Sequence, residues 1–164
     1  MLEALYPYWR YEYEAVAGDR KKAGDNPFAN LQKKEARDVK IIAKGATACL
    51  ILNKYPYAPG HMLALPYRAV AKLEDLTDAE TLELQHWVVV GKLLLEKVLK
   101  VDGANVGLNQ GKIAGGSVPT HLHWHIVPRW EGDHNFMPII GGTRVLPASQ
   151  ERLRKAFVAA YKKA

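Results

Sequence analysis

From Val39 onward the apolar positions fall into short runs separated by turn residues. Val39–Ala43 and Ala46–Leu52 flank Lys44-Gly45, which predicts a β-hairpin. Asn53–Gly60 (NKYPYAPG) holds two prolines and a glycine and reads as a turn, and His61–Pro66 resumes as a strand. The period then changes. Leu84, Trp87, Gly91, Leu94 and Val98 recur at three- and four-residue steps, and Thr77 with Glu80 spells a capping box, so a helix is predicted over about 78–100. Gly91 in that stripe lets the helix approach a sheet closely. Val88, Leu95 and Leu99 widen the stripe beyond one face, which predicts a second contact for this helix. Two more strands follow, Ala104–Leu108 and His121–Val127, the latter ended by Pro128. A short basic helix closes the chain over about 149–162, with Leu153, Phe157 and Tyr161 on one side. Ahead of all this, the aromatic LYPYWRYEY is expected to dock on the body of the fold, and Gly18–Asn30 reads as a mobile surface loop. Strands, helix, strands, helix, with few long crossovers, predict an α+β domain whose antiparallel sheet carries helices on one side.

Length keeps this to one domain. The 164 residues fit a single folding unit, divided into an N-terminal extension and loop (1–38), a core (39–130) and a C-terminal segment (131–164). Unbroken apolar runs such as Trp87–Val90 fall far short of the roughly 18 residues that cross a bilayer, so no membrane partner is expected. The acidic Glu3 and the missing basic n-region argue against a secretory signal and for the cytoplasm. Cys49 is the only cysteine, which excludes an intrachain disulfide and a cysteine-based zinc site, and its apolar surroundings predict a buried thiol. The net charge of +6 is spread over scattered pairs rather than a block, so nucleic acid is not the expected partner.

The chemistry concentrates in THLHWHIVPRW, residues 120–130. His121, His123 and His125 alternate with Leu122, Trp124 and Ile126, which on a strand puts three imidazoles on one face, about 6.5–7 Å apart, with the apolar set against the core. The expectation is a solvent-facing histidine row. Decoration of a half-exposed strand is one reading, a zinc site a second, and covalent catalysis on phosphorus a third. In the third, the middle imidazole attacks and protonated neighbours donate to phosphate oxygens. Spacing alone leaves the last two open. Upstream, Asn109–Ser117 (NQGKIAGGS) is a polar, glycine-rich loop feeding into the row. Its Gly115 and Gly116 allow backbone N–H groups to approach an anion, and Ser117 adds a hydroxyl. A phosphate cradle beside three histidines favours phosphoryl or nucleotidyl chemistry.

These residues, with the Pro-Arg that follows them, resemble the signature of the histidine triad (HIT) superfamily of nucleotide hydrolases and transferases. The resemblance extends over LNKYPYAPGHMLALPYR at 52–68, GLNQGKIAGGSVPTHLHWHIVPRW at 107–130 and GDHNFMPIIGGTRVLP at 132–147. The last of these, with LYPYWRYEY, looks most like the branch of bacterial diadenosine-polyphosphate phosphorylases and fragile histidine triad hydrolases. The resemblance implies an antiparallel sheet of about five strands with one long helix and a C-terminal helix. It implies that His123 is the nucleophile forming a nucleotidyl-histidine, with His121 and His125 as its partners and His61 behind them. It implies that Asn53 bonds the ribose, that Asn109 lies near the α-phosphate, and that Gly115, Gly116, Ser117 and Val118 form the phosphate loop. Adenine nucleotides such as diadenosine tri- and tetraphosphate are the implied substrates. No resident cofactor or metal is implied, and a divalent cation would enter with the polyphosphate. The family's pairing through this helix and a neighbouring strand implies a homodimer in which the partner's 132–164 segment reaches toward the site. His125 leans toward hydrolysis and the 132–147 segment toward phosphorolysis. The rival classes are a nucleotide-binding interaction module with little turnover and a zinc-dependent hydrolase.

Overall fold

The predicted hairpin exists, with its strands shifted slightly toward the C-terminus. In the computed structural model, which describes residues 26–33, 40–116, 118–133 and 150–162, β1 spans Ile41–Lys44 and β2 spans Ala48–Leu52. Gly45 N–H donates to the Ala48 carbonyl at 2.9 Å and closes the turn between them. β3 (Met62–Pro66), β4 (Gly103–Leu108) and β5 (Trp124–Arg129) complete a fully antiparallel sheet of order β1-β2-β3-β5-β4. The architecture is the α+β one expected.

α1 (Asp78–Leu99) lies across one face of the sheet, and α2 (Gln150–Tyr161) packs beside it. The capping box at the start of α1 is complete: the Glu80 N–H donates to the Thr77 hydroxyl while the Glu80 carboxylate accepts from the Thr77 N–H. Arg68, just past β3, reinforces this end with two bonds to the same carboxylate at 3.0 and 2.7 Å. At Gly91 an added Cβ would sit 2.7 Å from Ile126 Cδ1, so the glycine is what lets the helix approach β5. Leu50, Leu52, Met62, Ala64 and Ile126 from the sheet meet Leu84, Trp87, Leu94 and Leu95 of α1 and Leu153 and Phe157 of α2 in one apolar cluster. Val88 and Leu95, expected to face a second contact, are buried in that cluster, and Leu99 packs against it. Because the helix packs against both the sheet and the neighbouring α2, its core-facing stripe must be wide. The apolar side chains left outward on α1 are others: Leu82, Val89 and Leu93. No helix among the described residues is long and apolar enough to cross a membrane.

The second face of the sheet is covered too. Ile41, Cys49, Ile51, Leu63 and Leu65 form a smaller cluster closed by Leu31 and Phe28 from residues 26–33. Phe28, within the segment 18–30 expected to be a mobile surface loop, therefore packs on the sheet with Leu31, while Asn30 is exposed; residues 18–25 and the aromatic LYPYWRYEY lie outside the described residues. Cover on both faces explains why β2 and β3 are buried at every position and read as continuous apolar runs. Burial also pushes the Cys49 thiol up to about 12, where it is inert.

Pro128 does not end β5. It pairs with Ala104, and the strand runs on to Arg129. Past Ile126, β5 has no β3 residue beside it and borders only β4, the edge-like setting in which a proline is tolerated.

One contact pins α1 to the hairpin. The Glu83 carboxylate accepts from the N–H groups of Ala46, Thr47 and Ala48 at 2.7, 2.6 and 3.1 Å, and from the Thr47 hydroxyl. Removing it strands these donors, so Glu83→Ala is expected to cost about 2–4 kcal/mol and Glu83→Gln about half of that. Urea unfolding of the two variants checks both values, and an unchanged midpoint for Glu83→Ala would refute the role.

Candidate active site

Cross-strand partners in an antiparallel sheet share a face, so the register places the histidines. Leu63 pairs with His125, which puts that imidazole on the face of the smaller cluster, and Gly107 on β4 stands on its other side with open space where a Cβ would be. His121 and His123 stand on the approach to β5, which begins at Trp124 rather than at His121. The row is not solvent-facing: His121 and His123 are 1% and 5% exposed, because Phe28 sets its ring edge-on to His121 at 5.4 Å and tilted against His123 at 5.3 Å. His61, at the start of β3, is fully buried.

His61 is delivered by the turn before it. The Asn53 N–H donates to the His61 carbonyl, the His61 N–H to the Ala58 carbonyl, and Gly60 adopts φ +87° with Leu99 Cδ1 2.6 Å from where its Cβ would lie. Only glycine suits both that dihedral and that contact.

The hydrogen bonds fix every tautomer in the row. Asn53 Oδ1 accepts from the Tyr55 N–H, so its amide nitrogen faces His61 Nδ1 at 3.3 Å, and the Tyr57 N–H donates to the same nitrogen at 3.0 Å. His61 therefore carries its proton on Nε2 and donates it to His125 Nδ1 at 2.9 Å. His125 in turn keeps its own proton on Nε2. His123 Nδ1 lies 2.8 Å from the His121 carbonyl, which can only accept, so His123 Nε2 holds a lone pair. The same logic gives His121 an Nε2–H bonded to the Pro66 carbonyl at 2.8 Å. Its Nδ1 accepts from Asn26, whose Oδ1 is taken by the Phe28 N–H. Among the described residues, a lone pair on His123 without a donor thus adjoins a donor N–H on His125, with ring centroids 5.0 Å apart.

Electrostatics keep the row neutral at pH 7. Burial, then the charges His125 and His123 would carry, push His61 down to about 3; burial and His123 push His125 down to about 4. Burial lowers His121 and His123 as well, against the raising effect of the carbonyls they bond. The flanking donors expected as imidazolium are neutral N–H groups.

The glycine loop is a closed turn. The Gly115 N–H donates to the Lys112 carbonyl at 3.1 Å and the Gly116 N–H to the Gly111 carbonyl at 3.2 Å. These two amides, expected to face an anion, are thus bonded within the loop, and what the glycines supply is shape. A Cβ on Gly116 would meet the Gly111 and Asn109 carbonyl oxygens at 2.8 and 3.1 Å. Asn109 Nδ2 lies beside Gly115, and the Val118 carbonyl accepts from the His121 N–H, tying the loop to the row. Ser117 lies outside the described residues, as does His134. Sequence reasoning missed Asn26, Phe28 and Tyr57. The Asn-Pro-Phe run was the available signal, since one large apolar side chain in a polar loop needs somewhere to be buried.

The family model for the HIT domain matches residues 33–132. The chain belongs to the HIT family. Within the family, it is 40% identical over 151 residues to a Mycobacterium tuberculosis protein named AP-4-A phosphorylase, covering 89% of this chain and 77% of that one. It is 42% identical over 82 residues to the asymmetrical bis(5'-nucleosyl)-tetraphosphatase of Schizosaccharomyces pombe, covering 50% of this chain and 44% of that one. Among solved HIT structures, the zinc-bound histidine triad family protein of Mycobacterium smegmatis matches with a TM-score of 0.62 at 27% identity, over 76% of this chain and 87% of that one. The NitFhit protein of Caenorhabditis elegans matches with a TM-score of 0.59 at 31% identity, over 76% of this chain and 27% of that one.

A zinc ion does not fit the described histidines of this HIT chain. Of the four clustered histidines, His61 and His121 have both nitrogens in hydrogen bonds and His123 and His125 have one each, which leaves two ring nitrogens in the cluster where zinc takes three or four protein ligands. No group of three or more His, Cys, Asp or Glu among the described residues is placed to hold an ion.

Proposed function

We propose that this HIT protein cleaves dinucleoside polyphosphates such as diadenosine tetraphosphate at an α-phosphorus, through a covalent nucleotidyl-His123, and passes the nucleotide to inorganic phosphate. The observation that carries the chemistry is the tautomer of His123. Its Nδ1–H is bonded to the His121 carbonyl, so the Nε2 lone pair is available near neutral pH. That pair forms the P–N bond as the P–O bond to the leaving nucleotide breaks, and the leaving group departs with the bonding electrons as a polyphosphate anion. The His121 carbonyl stabilises the positive charge that develops on the ring, and His125 Nε2–H donates to a phosphate oxygen. A phosphate oxygen then attacks, the P–N pair returns to His123, and a nucleoside diphosphate leaves. Positioning and charge stabilisation supply most of the rate in such transfers. Asn53 bonds the ribose, Asn109 meets the α-phosphate beside the loop Gly115–Val118, whose glycines shape the approach, and His61 fixes His125. The reading takes no resident cofactor or metal, and a divalent cation only as companion of the polyphosphate. It places the protein in the cytoplasm.

Phosphate as acceptor is favoured because similarity to the M. tuberculosis phosphorylase runs over 89% of the chain, whereas similarity to the S. pombe hydrolase covers 50%. Labelled diadenosine tetraphosphate, incubated with and without inorganic phosphate, tests it. Phosphorolysis yields ADP with ATP, hydrolysis yields AMP with ATP, and absence of any product would leave only an interaction module.

The reading includes a homodimer. Leu82, Val89 and Leu93 are 75%, 49% and 54% exposed along one side of α1, and Val106 on the edge strand β4 is 48% exposed. Edge strand and apolar stripe together invite a second copy across a two-fold axis. Sedimentation is expected to give twice the chain mass of 18.3 kDa. A Leu93→Glu, Val106→Glu variant is expected to sediment as a monomer, and a wild-type monomer with full activity would overturn the proposal.

A further inference from the structure

We propose that Tyr57 is a positioning residue of the reaction, which seals the His61–His125 pair from water and holds the proton of His125 on Nε2. The inference deepens the functional reading above and rests on it only for the effect on turnover. Three contacts carry it. The Tyr57 ring stacks on His61 at 4.8 Å and 30°, and on His125 at 5.7 Å and 19°, so one aromatic plane lies over both partners of the 2.9 Å imidazole–imidazole bond. The same residue's N–H enters His61 Nδ1 at 3.0 Å. Its main chain therefore chooses the His61 tautomer, and its ring protects the bond by which that choice is passed to His125.

The arrangement has a chemical consequence. Protonating His61 would place a proton on Nδ1, where the Tyr57 N–H and the Asn53 amide already point. Protonating His125 would place one on Nδ1, where His61 already donates. Either event breaks the relay, and what opposes both is exclusion of water from the pair. Among the described residues, the titratable groups acting on it are its own two imidazoles and His123; from the sheet Leu63 and Gly107 flank His125, and from the turn come Asn53 and Tyr57. Tyr57 is half-buried, so its ring is the movable part of the seal. Sequence spacing carries no sign of this, because Tyr57 belongs to a turn four residues before His61.

The test compares wild type with Tyr57→Phe, Tyr57→Leu and Tyr57→Ala by nitrogen-15 NMR of the histidine rings from about pH 4 to about pH 8, which reads tautomer and protonation directly. Wild type and Tyr57→Phe are expected to show His61 and His125 neutral as Nε2–H tautomers down to about pH 5. In Tyr57→Ala the pair is expected to titrate about one unit or more higher, with mixed tautomers. Turnover of diadenosine tetraphosphate is expected to fall about tenfold in kcat with KM within about twofold, and Tyr57→Phe to restore it. Tyr57→Leu, which fills the space without an aromatic plane, replaces the alanine variant if that one fails to fold, and is expected to titrate between the two. Wild-type titration and tautomers in both Tyr57→Ala and Tyr57→Leu would overturn the proposal. Absence of turnover in every form, with the NMR shifts as expected, would overturn the functional reading and leave the role of Tyr57 standing.

Discussion

Replacing His123 with asparagine is expected to lower turnover of diadenosine tetraphosphate by about a thousandfold or more, while nucleotide binding changes by no more than a few fold. A carboxamide can still donate to the His121 carbonyl, as the imidazole does at 2.8 Å, but it offers phosphorus no nucleophilic nitrogen. Asparagine is preferred to alanine because His123 is only 5% exposed beneath Phe28, and truncation would open a cavity there. Initial rates, with nucleotide affinity from calorimetry, separate chemistry from binding. Wild type quenched during turnover should carry labelled nucleotide on a histidine, released by acid, and the variant should carry none. A variant retaining more than about a tenth of the wild-type rate would rule out the covalent path.

Local signals made the frame of this site legible. The alternation in HLHWHI put three imidazoles on one face, the capping box at Thr77 and Glu80 marked the start of α1, and Gly91 marked its approach to the sheet. What escaped was non-local. The cover over the row comes from Asn26 and Phe28, with the Asn26–His121 bond joining residues 95 apart, and no periodicity encodes such a contact. That unseen cover is why the row reads as solvent-facing in the sequence yet is buried in the fold. The wide stripe that includes Val88 and Leu95 does meet a second contact, but its identity is equally non-local: α2 supplies extra apolar surface to α1, which only the tertiary arrangement displays. Pro128 would end a central strand, but the end of β5 has a neighbour on one side only, and there a proline is tolerated.

Burial of the row carries its own consequence, a fold that weakens in mild acid. Free imidazole takes up a proton near pH 6.5, but in the fold burial pushes His125 down to about 4 and His61 to about 3. Between those values the unfolded chain binds more protons than the folded one, so stability rises with pH and is lost as pH falls from about 6.5. Two such groups give a slope of about 2–3 kcal/mol per pH unit near pH 5, and His121 and His123, lowered in the same direction, steepen it. The Arg68 bond holds Glu80 down at about 2, an effect that acts in the same sense only below the ordinary carboxylate range, so the loss above pH 5 belongs to the histidines. Between pH 7 and pH 5 the two groups remove about 4 kcal/mol of a total of about 5–15 kcal/mol, so the chain is expected to be markedly weakened at pH 5. Urea midpoints at pH 7, 6 and 5 measure the slope, and a His61→Gln, His125→Gln variant should start less stable at pH 7 and show a flatter dependence. Equal stability of the wild type at pH 7 and pH 5 would mean that water reaches the row, and that the neutral relay from Tyr57 through His61 to His125 does not hold in solution.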